Sequence, residues 1–219
     1  MEDKILMHAC CAPCSIGCIE MLEEKKLDFE IFWYNPNIHP YMEYKKRFET
    51  LKEYLSFKKI KLNIKDEYGL EKFTKEAVIN LEDRCQRVCY KIRLEETAKF
   101  AKENGFNKFT TTLLVSPYQN REKLISIGNE IAKKYDIEFI APDFQKNFWL
   151  GQKKARELGL YMQKYCGCIF SEAERYKKNT WNFKNISIKN KKEKNNEKNN
   201  EKENKIKGKN EKIIINWWK

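Results

Sequence analysis

The amino-terminal region contains the sequence I-L-M-H-A-C-C-A-P-C-S at positions 5–15, where an apolar run meets a cluster of thiols. The run Lys4–His8 is typical of a short buried strand, and apolar residues at helical spacing predict a helix over Ser15–Lys26. No glycine-rich phosphate loop follows this strand, because the cysteines occupy its place. The turn after the first strand is therefore expected to be a metal site rather than a nucleotide site.

Strands and helices alternate along the rest of the chain. Apolar runs predict further strands at Phe29–Tyr34, Lys61–Lys65, Lys108–Leu114 and Ile137–Ile140. Helical spacing predicts helices at Tyr41–Leu55, Leu70–Leu81, Arg84–Asn104, 121–134 and 152–158. This alternation predicts an α/β layered fold with a mostly parallel sheet, in which sites lie beyond the carboxyl ends of the strands.

The eight cysteines indicate a protein that uses thiols for chemistry. The chain shows no secretory signal and no apolar run of about 18 residues, so we expect neither export nor a membrane span. In a cytoplasmic protein, thiols are more often metal ligands or redox groups than a structural disulfide framework. The net charge of +12 is compatible with a nucleic-acid partner without establishing one.

Two cysteine pairs from distant segments offer four thiolates. Cys10 and Cys11 are adjacent at a predicted strand end, and Cys85 and Cys89 lie one turn apart on a predicted helix. Four thiolates suit a four-cysteine zinc site or a four-iron cluster, and the spacing does not choose between these metals. Cys14 lies in the same turn as Cys10 and is either a ligand, a ligand of a second metal or a spare thiol.

The remaining single residues have structural and functional explanations. His8 stands two residues before Cys10 and either tunes the metal or serves as a structural histidine. His39 lies in a turn and is expected to face solvent. Cys18 lies on a predicted helix and is expected to act as a small buried hydrophobe.

A third group of thiols is the sequence Cys166-Gly167-Cys168. A disulfide between these cysteines would close a small, strained ring, and strained disulfides are the labile, redox-active kind. The pair is therefore predicted to store two electrons, and the alternative is two more metal ligands.

Four segments in this order resemble the cobalamin-independent epoxyqueuosine reductases, over residues 4–176. They are H-A-C-C-A-P-C-S at 8–15, R-C-Q-R-V-C-Y-K-I-R-L at 84–94, T-T-L-L-V-S-P-Y-Q at 111–119 and Y-M-Q-K-Y-C-G-C-I-F-S at 161–171. The resemblance implies a Rossmann-like fold of the nucleotide-alpha-hydrolase type, with a helical insert. It also implies the last step of queuosine synthesis, in which epoxyqueuosine at the wobble position of tRNA becomes queuosine.

The resemblance also implies the roles of the cysteines. A [4Fe-4S] cluster would be held by Cys10, Cys11, Cys85 and Cys89, beside a mononuclear iron for which Cys14 and His8 are candidate ligands or neighbours. Cys166 and Cys168 would form the redox-active disulfide. The implied partners are tRNA with epoxyqueuosine in its anticodon loop and an electron donor that the sequence does not identify, with no membrane involved.

Residues near these motifs are candidates for substrate binding. An unstacked base is held by stacking and hydrogen bonds, which Tyr118, Gln119 and Tyr165 can offer. Arg84 and Arg93 could contact phosphates, and Arg84 could instead stabilise a nearby thiolate.

The chain divides by composition into two parts. Residues 1–183 are predicted to form the iron–sulfur α/β reductase domain. Residues 184–219 contain 12 Lys and 5 Glu with few apolar residues, and we expect this tail to be disordered. The sequence also permits an alternative function. The chain would then be a four-cysteine zinc protein that binds RNA, or a sulfur-transferring tRNA-modifying protein.

Overall fold

The computed structural model describes residues 4–180, and these residues contain one five-stranded sheet. Its strands are β1 Ile5–His8, β2 Phe29–Trp33, β3 Leu62–Ile64, β4 Lys108–Thr111 and β5 Glu138–Phe139. Every pairing is parallel and the strand order is β3-β2-β1-β4-β5. The predicted α/β fold with a parallel sheet is therefore confirmed.

Seven α-helices accompany the sheet in the described residues. They are α1 Ala12–Glu24, α2 Tyr41–Lys58, α3 Leu70–Ile79, α4 Lys91–Glu103, α5 Arg121–Tyr135, α6 Phe148–Glu157 and α7 Ile169–Thr180. A π-helix, Cys85–Tyr90, leads into α4. Short 3-10 helices follow β4 at Thr112–Val115 and precede α6 at Phe144–Asn147.

The strand order places a crevice at the end of β1. The chain moves from β1 through β2 to β3 on one side, and then returns to pair β4 with β1 on the other side. In an open parallel sheet, such a reversal leaves a crevice at the carboxyl ends of the strands, where ligands bind. Residues 5–8 of β1 are buried along their whole length, so the centre of the core lies directly below this crevice.

Several elements differ from the sequence prediction at their ends. The first helix begins at Ala12, three residues early, because Pro13 fits the first helical turn, where its missing N–H is not required. The strand β4 ends at Thr111, whose hydroxyl accepts a hydrogen bond from the Leu113 amide and starts a 3-10 turn. The helix α6 begins at Phe148 instead of 152, and α7 has no counterpart in the prediction.

The predicted domain boundary and tail lie outside the described residues, so both stay predictions. A compact unit ends at Glu172. Among the residues that the structure describes, no helix has the length and apolar character needed to cross a bilayer.

The contact between α1 and the segment before α6 yields a prediction about stability. A methyl group on Gly17 would lie 2.4 Å from the backbone oxygen of Asn147. Because backbone cannot move aside as a side-chain tip can, Gly17→Ala should lower the free energy of unfolding by about 1–3 kcal/mol. Urea unfolding measures this loss. Glu24→Ala, on the exposed face of the same helix, is the control, and equal stability of the two variants would contradict the close packing.

Candidate metal and redox site

Three thiols lie together at the end of β1. Cys10 follows the strand, Cys11 is the residue before α1, and Cys14 lies in the first turn of that helix. Their sulfur atoms all lie within 4.8 Å of one another, and those of Cys10 and Cys11 are 3.7 Å apart. All three side chains are buried. We call these residues the thiol triad, and its donor set is that of a metal site.

Neighbouring side chains hold the thiol triad in place. Thr112, directly after β4, accepts a hydrogen bond from the Cys10 amide at 3.1 Å and its hydroxyl donates to the Cys10 sulfur at 3.5 Å. The amide nitrogen of Gln163 donates to the Cys14 sulfur at 3.5 Å. The triad therefore lies at the carboxyl ends of β1 and β4, in the crevice that the strand order creates.

The three thiols of the triad have different pKa values. Hydrogen bonds from Cys11 and Cys14 lower the pKa of the Cys10 thiol well below its usual value. Burial raises the pKa of Cys11, and the hydrogen bonds to Cys10 and Cys11 raise that of Cys14. One buried thiolate is therefore stabilised by two thiols, and a cation is needed before all three can ionise.

The second cysteine pair lies on the π-helix. Cys85 is half-buried and Cys89 is buried, so the predicted α-helical turn is replaced by a wider one. Such single π-turns are frequent at functional sites. The guanidinium of Arg93 donates to the Cys89 sulfur at 2.8 Å and to the Cys89 backbone oxygen at 3.0 Å. Both cysteines fall outside the compact thiol triad.

Arg93 connects the two groups of thiols electrostatically. Its side chain is only 2% exposed. Burial raises the pKa of Cys85 and Cys89, and the charge of Arg93 opposes the rise in both. The same charge adds to the lowering of the pKa of Cys10. The expected phosphate contact of Arg93 is thus wrong for this side chain, because its guanidinium is buried against sulfur.

The Cys166-Gly167-Cys168 segment, here called the dithiol segment, lies beside the second cysteine pair. Cys168 packs with Cys89 and Phe73 in one small apolar cluster, whereas Cys166 is exposed. The amide nitrogen of Gln119 donates to the Cys166 sulfur at 3.4 Å. Both cysteines are free thiols in the structure, so their disulfide stays a prediction.

Gly167 is required by its surroundings. Its φ of +150° is rare for residues with a side chain, and an added Cβ would lie 3.3 Å from Nη1 of Arg47. Its carbonyl accepts a hydrogen bond from the His39 amide at 2.8 Å. The glycine therefore lets the dithiol segment pack closely against α2 and the turn before it.

A buried ion pair on α2 holds the dithiol segment. Arg47, 1% exposed, donates to the backbone oxygens of Cys166 and Tyr165 at 2.8 and 2.9 Å. Its third contact is an ion pair with Glu43 at 2.7 Å, and Glu43 also accepts from the Tyr161 hydroxyl. These contacts fix the backbone of Tyr165 and Cys166, immediately before Gly167. Gly167 itself lies one residue from each cysteine.

Both histidines are buried, which corrects the expectation that His39 faces solvent. The two ring nitrogens of His8 contact the Thr111 hydroxyl at 2.9 Å and the Tyr34 carbonyl at 3.2 Å. Because a carbonyl only accepts, Nε2 carries the proton and Nδ1 accepts from Thr111. Burial lowers the pKa of His8 to about 4, so it stays neutral beside the thiols.

The other predicted site residues are dispersed around the dithiol. Tyr118 is exposed next to Gln119. The hydroxyl of Tyr165 donates to the His39 backbone oxygen at 2.7 Å and is thus used within the fold. Arg84 donates to the Leu81 carbonyl and lies over the Phe170 ring at 5.6 Å.

Several buried polar atoms around the site have no hydrogen-bond partner among the described residues. They are Oδ1 of Asn35, Oδ1 of Asn37, Oε1 of Gln163 and both ring nitrogens of His39. Gln163 contacts Cys14 through its other amide atom, and Asn35 contacts the backbone oxygen of Ala9, beside Cys10. Buried polar atoms are rarely left unpaired, so these atoms are expected to bind ordered water or a ligand.

Sequence reasoning missed Arg47 and Glu43. One signal was available, because a glutamate and an arginine four residues apart form an ion pair on a helix. That signal is common on exposed helix faces, and only the three-dimensional structure shows that this pair is buried.

Buried thiols at the carboxyl ends of a parallel sheet, with an exposed thiol beside them, define a thiol-based metal or redox enzyme. A family model described as Epoxyqueuosine reductase QueH matches residues 5–174. The chain belongs to this family, and it is an oxidoreductase.

Curated relatives match over most of their length. The chain is 33% identical to epoxyqueuosine reductase QueH of Dehalococcoides mccartyi over 81% of this chain and 97% of that protein. It is 38% identical to epoxyqueuosine reductase QueH of Thermotoga maritima over 80% of this chain and 93% of that protein. The corresponding protein of Streptococcus pyogenes is 33% identical, over 78% of this chain and 71% of the relative.

The buried ion pair on α2 yields a testable difference in stability. Arg47→Met leaves the Glu43 carboxylate buried without its cation, so we expect the free energy of unfolding to fall by roughly 3–5 kcal/mol. The matched control is Lys45→Met, which breaks an exposed pair with Glu49 on the same helix and should cost less than about 1 kcal/mol. Denaturant titration compares the two, and equal losses would contradict the role of Arg47.

Proposed function

We propose that this chain, like the family to which it belongs, reduces epoxyqueuosine to queuosine, and that it does so at the wobble position of tRNA with iron–sulfur chemistry and no cobalamin. The observation that carries the proposal is the buried thiol triad at the sheet's carboxyl edge, with the Cys166/Cys168 dithiol beside the second cysteine pair. The cytoplasmic location expected from the thiols stays a prediction.

The residues present fit an iron–sulfur centre. A four-iron cluster takes four thiolates, one on each iron. Cys10 and Cys11 from one segment and Cys85 and Cys89 from the other supply such a set. Cys14, the third member of the triad, is then available to an adjacent mononuclear iron. Arg93 offsets part of the negative charge that this many thiolates would bring into the core.

The Cys166/Cys168 dithiol can supply the electrons and protons that the reaction consumes. Removal of the epoxide oxygen to leave an alkene takes two electrons and two protons and releases water. Oxidation of the Cys166 and Cys168 thiols to a disulfide supplies two electrons and two protons. When bound, the iron–sulfur centre would pass electrons singly and offer iron as a Lewis acid toward the epoxide oxygen. An external donor, which we do not identify, then reduces the disulfide.

The residues around the dithiol position it for this exchange. Arg47 fixes the backbone of Cys166, and Gln119 donates to the Cys166 sulfur at the surface. Cys168 is buried beside Cys89 and Cys166 is exposed, and both lie close enough to Cys85 and Cys89 to raise the pKa of those thiols. The roles of Tyr118, Gln119, Tyr165 and Arg84 in substrate binding stay predictions.

The alternative function, a four-cysteine zinc protein, does not explain the arrangement of Cys166 and Cys168. A four-cysteine zinc site needs neither an exposed thiol nor a second one packed behind it. Zinc has no redox chemistry, so a zinc protein would be colourless, whereas thiolate-bound iron–sulfur protein is brown.

The proposal predicts that two kinds of cysteine variants behave differently. Protein purified without oxygen should contain iron and acid-labile sulfide, and Cys10→Ser should lose most of both because a cluster ligand is removed. Cys168→Ser should keep its iron and sulfide but form no queuosine, because the dithiol cannot close. Metal analysis and nucleoside mass spectrometry of epoxyqueuosine-containing tRNA measure these outcomes.

Cys18→Ser is the matched control for both measurements. Cys18 is buried near the triad, and its thiol donates to the Cys14 backbone oxygen, a contact that a serine hydroxyl retains. It should keep both the metal and the activity. Queuosine formation by Cys168→Ser, or an iron-free wild-type protein after reconstitution, would contradict the proposal.

A further inference from the structure

We propose that the rings of Tyr118, Phe148 and Trp149, here called the aromatic platform, stack against the anticodon-loop nucleotides that flank the modified base. The inference rests on the proposed function and names the surface that presents the substrate to the dithiol. The partner is single-stranded RNA, recognised through the faces of its bases.

The three rings form one continuous surface. The Tyr118 and Phe148 ring centres are 6.1 Å apart, and those of Phe148 and Trp149 are 5.0 Å apart, with edge-to-face geometry in both pairs. Tyr118 is 80% exposed and Trp149 is 68% exposed, while Phe148 is half-buried between them. Edge-to-face packing leaves ring faces open, so two large aromatic side chains present stacking surface to solvent.

The aromatic platform adjoins the proposed reaction site from two directions. Tyr118 is the neighbour of Gln119, whose amide donates to the Cys166 sulfur at 3.4 Å. On the other side, Asn147 donates to the Gly17 carbonyl of α1 at 3.1 Å, and Gly151 of α6 lies tight against the backbone of Pro13. The platform is thereby anchored to the helix whose first turn carries Cys14.

The chemistry of the substrate calls for such a surface. A base that enters a crevice must leave its stack, and its two neighbours then lose a stacking partner. Aromatic side chains replace that partner for any base, since every base has a π-face. Open aromatic rings next to the dithiol therefore match the need of the loop that delivers the modified base.

Charge near the platform also favours RNA. The segment 143–158 contains four cations, Lys146, Lys153, Lys154 and Arg156, and two acids, Asp143 and Glu157, and its lysines pair with Asp143, Glu157 and Glu20. The Lys146 side chain is 77% exposed and pairs only with Asp143 at the surface. Exposed lysines that flank aromatic rings attract phosphates in a salt-dependent way. A protein partner would instead need about 800 Å² of buried area on each side, more than three rings provide.

The test is the affinity of the full-length chain for a synthetic anticodon stem-loop RNA with guanosine at the wobble position. Trp149→Ala should weaken binding about 10-fold or more, because each base stacked on an aromatic ring contributes that much or more. Trp149→Phe should recover most of the affinity because it restores a ring. Phe57→Ala, which removes a 78% exposed aromatic ring on α2, is the matched control and should bind like the wild type. Fluorescence anisotropy at fixed salt measures all four proteins.

The outcomes separate this inference from the proposed function. Wild-type protein that forms queuosine, together with a Trp149→Ala variant of unchanged Kd and unchanged KM, would overturn the platform alone. A Trp149→Ala variant that changes only self-association in sedimentation would overturn it in favour of a protein interface. Wild-type protein that forms no queuosine from epoxyqueuosine-containing tRNA would overturn the proposed function, whatever the RNA affinities. A raised KM for that tRNA, in step with the raised Kd, supports the platform.

Discussion

The contact between the buried Arg93 guanidinium and the Cys89 sulfur is the interaction on which the arrangement of the site depends. The Arg93 charge acts on sulfur atoms from two distant segments, those of Cys89 and Cys10, and each would carry a negative charge as a metal ligand. An unpaired buried charge costs several kcal/mol, so the fold needs positive charge in the same place. Arg93 provides it for Cys89 and Cys166 and also stabilises the charge on Cys10. A bound metal would supply the rest, because burial and the neighbouring thiols keep the pKa values of Cys11 and Cys14 high without one.

The parallel sheet supplies the geometry for this charge pattern. Because β1 lies between β2 and β4, the turns that follow β1 and β4 meet, and Thr112 can bind Cys10 across a sequence separation of about a hundred residues. The dithiol segment is then held from a third direction, by Arg47 of α2. Two buried arginines thus serve different purposes: one faces sulfur, and the other faces backbone oxygens and a carboxylate. The segment that carries the predicted redox pair is therefore fixed through its main chain.

Much of the fold and of the thiol site could be predicted from the sequence, since the apolar runs and the cysteine spacing are local signals. The strand at residues 5–8, its position before the thiols and the α/β alternation were all predictable in this way. The π-helix at Cys85–Tyr90 was not, because its pattern of apolar residues equals that of an α-helix and only the packing of Arg93 against Cys89 distinguishes it. The burial of His39 and Arg47 also lay beyond reach, because polar residues in a turn or on a helix usually face solvent. In this protein both are covered by the Tyr165–Gly167 segment, more than a hundred residues away.

We propose that the thiols of the two segments bind iron together, and diffraction can test this proposal directly. Crystals grown without oxygen from reconstituted full-length protein should be measured on both sides of the iron absorption edge. We predict anomalous density between Cys10 and Cys11 on one side and Cys85 and Cys89 on the other, with Arg93 beside it. Two results would contradict iron binding by both cysteine pairs. One is anomalous density confined to a single ion within the thiol triad, with Cys85 and Cys89 unligated. The other is a signal at the zinc edge alone.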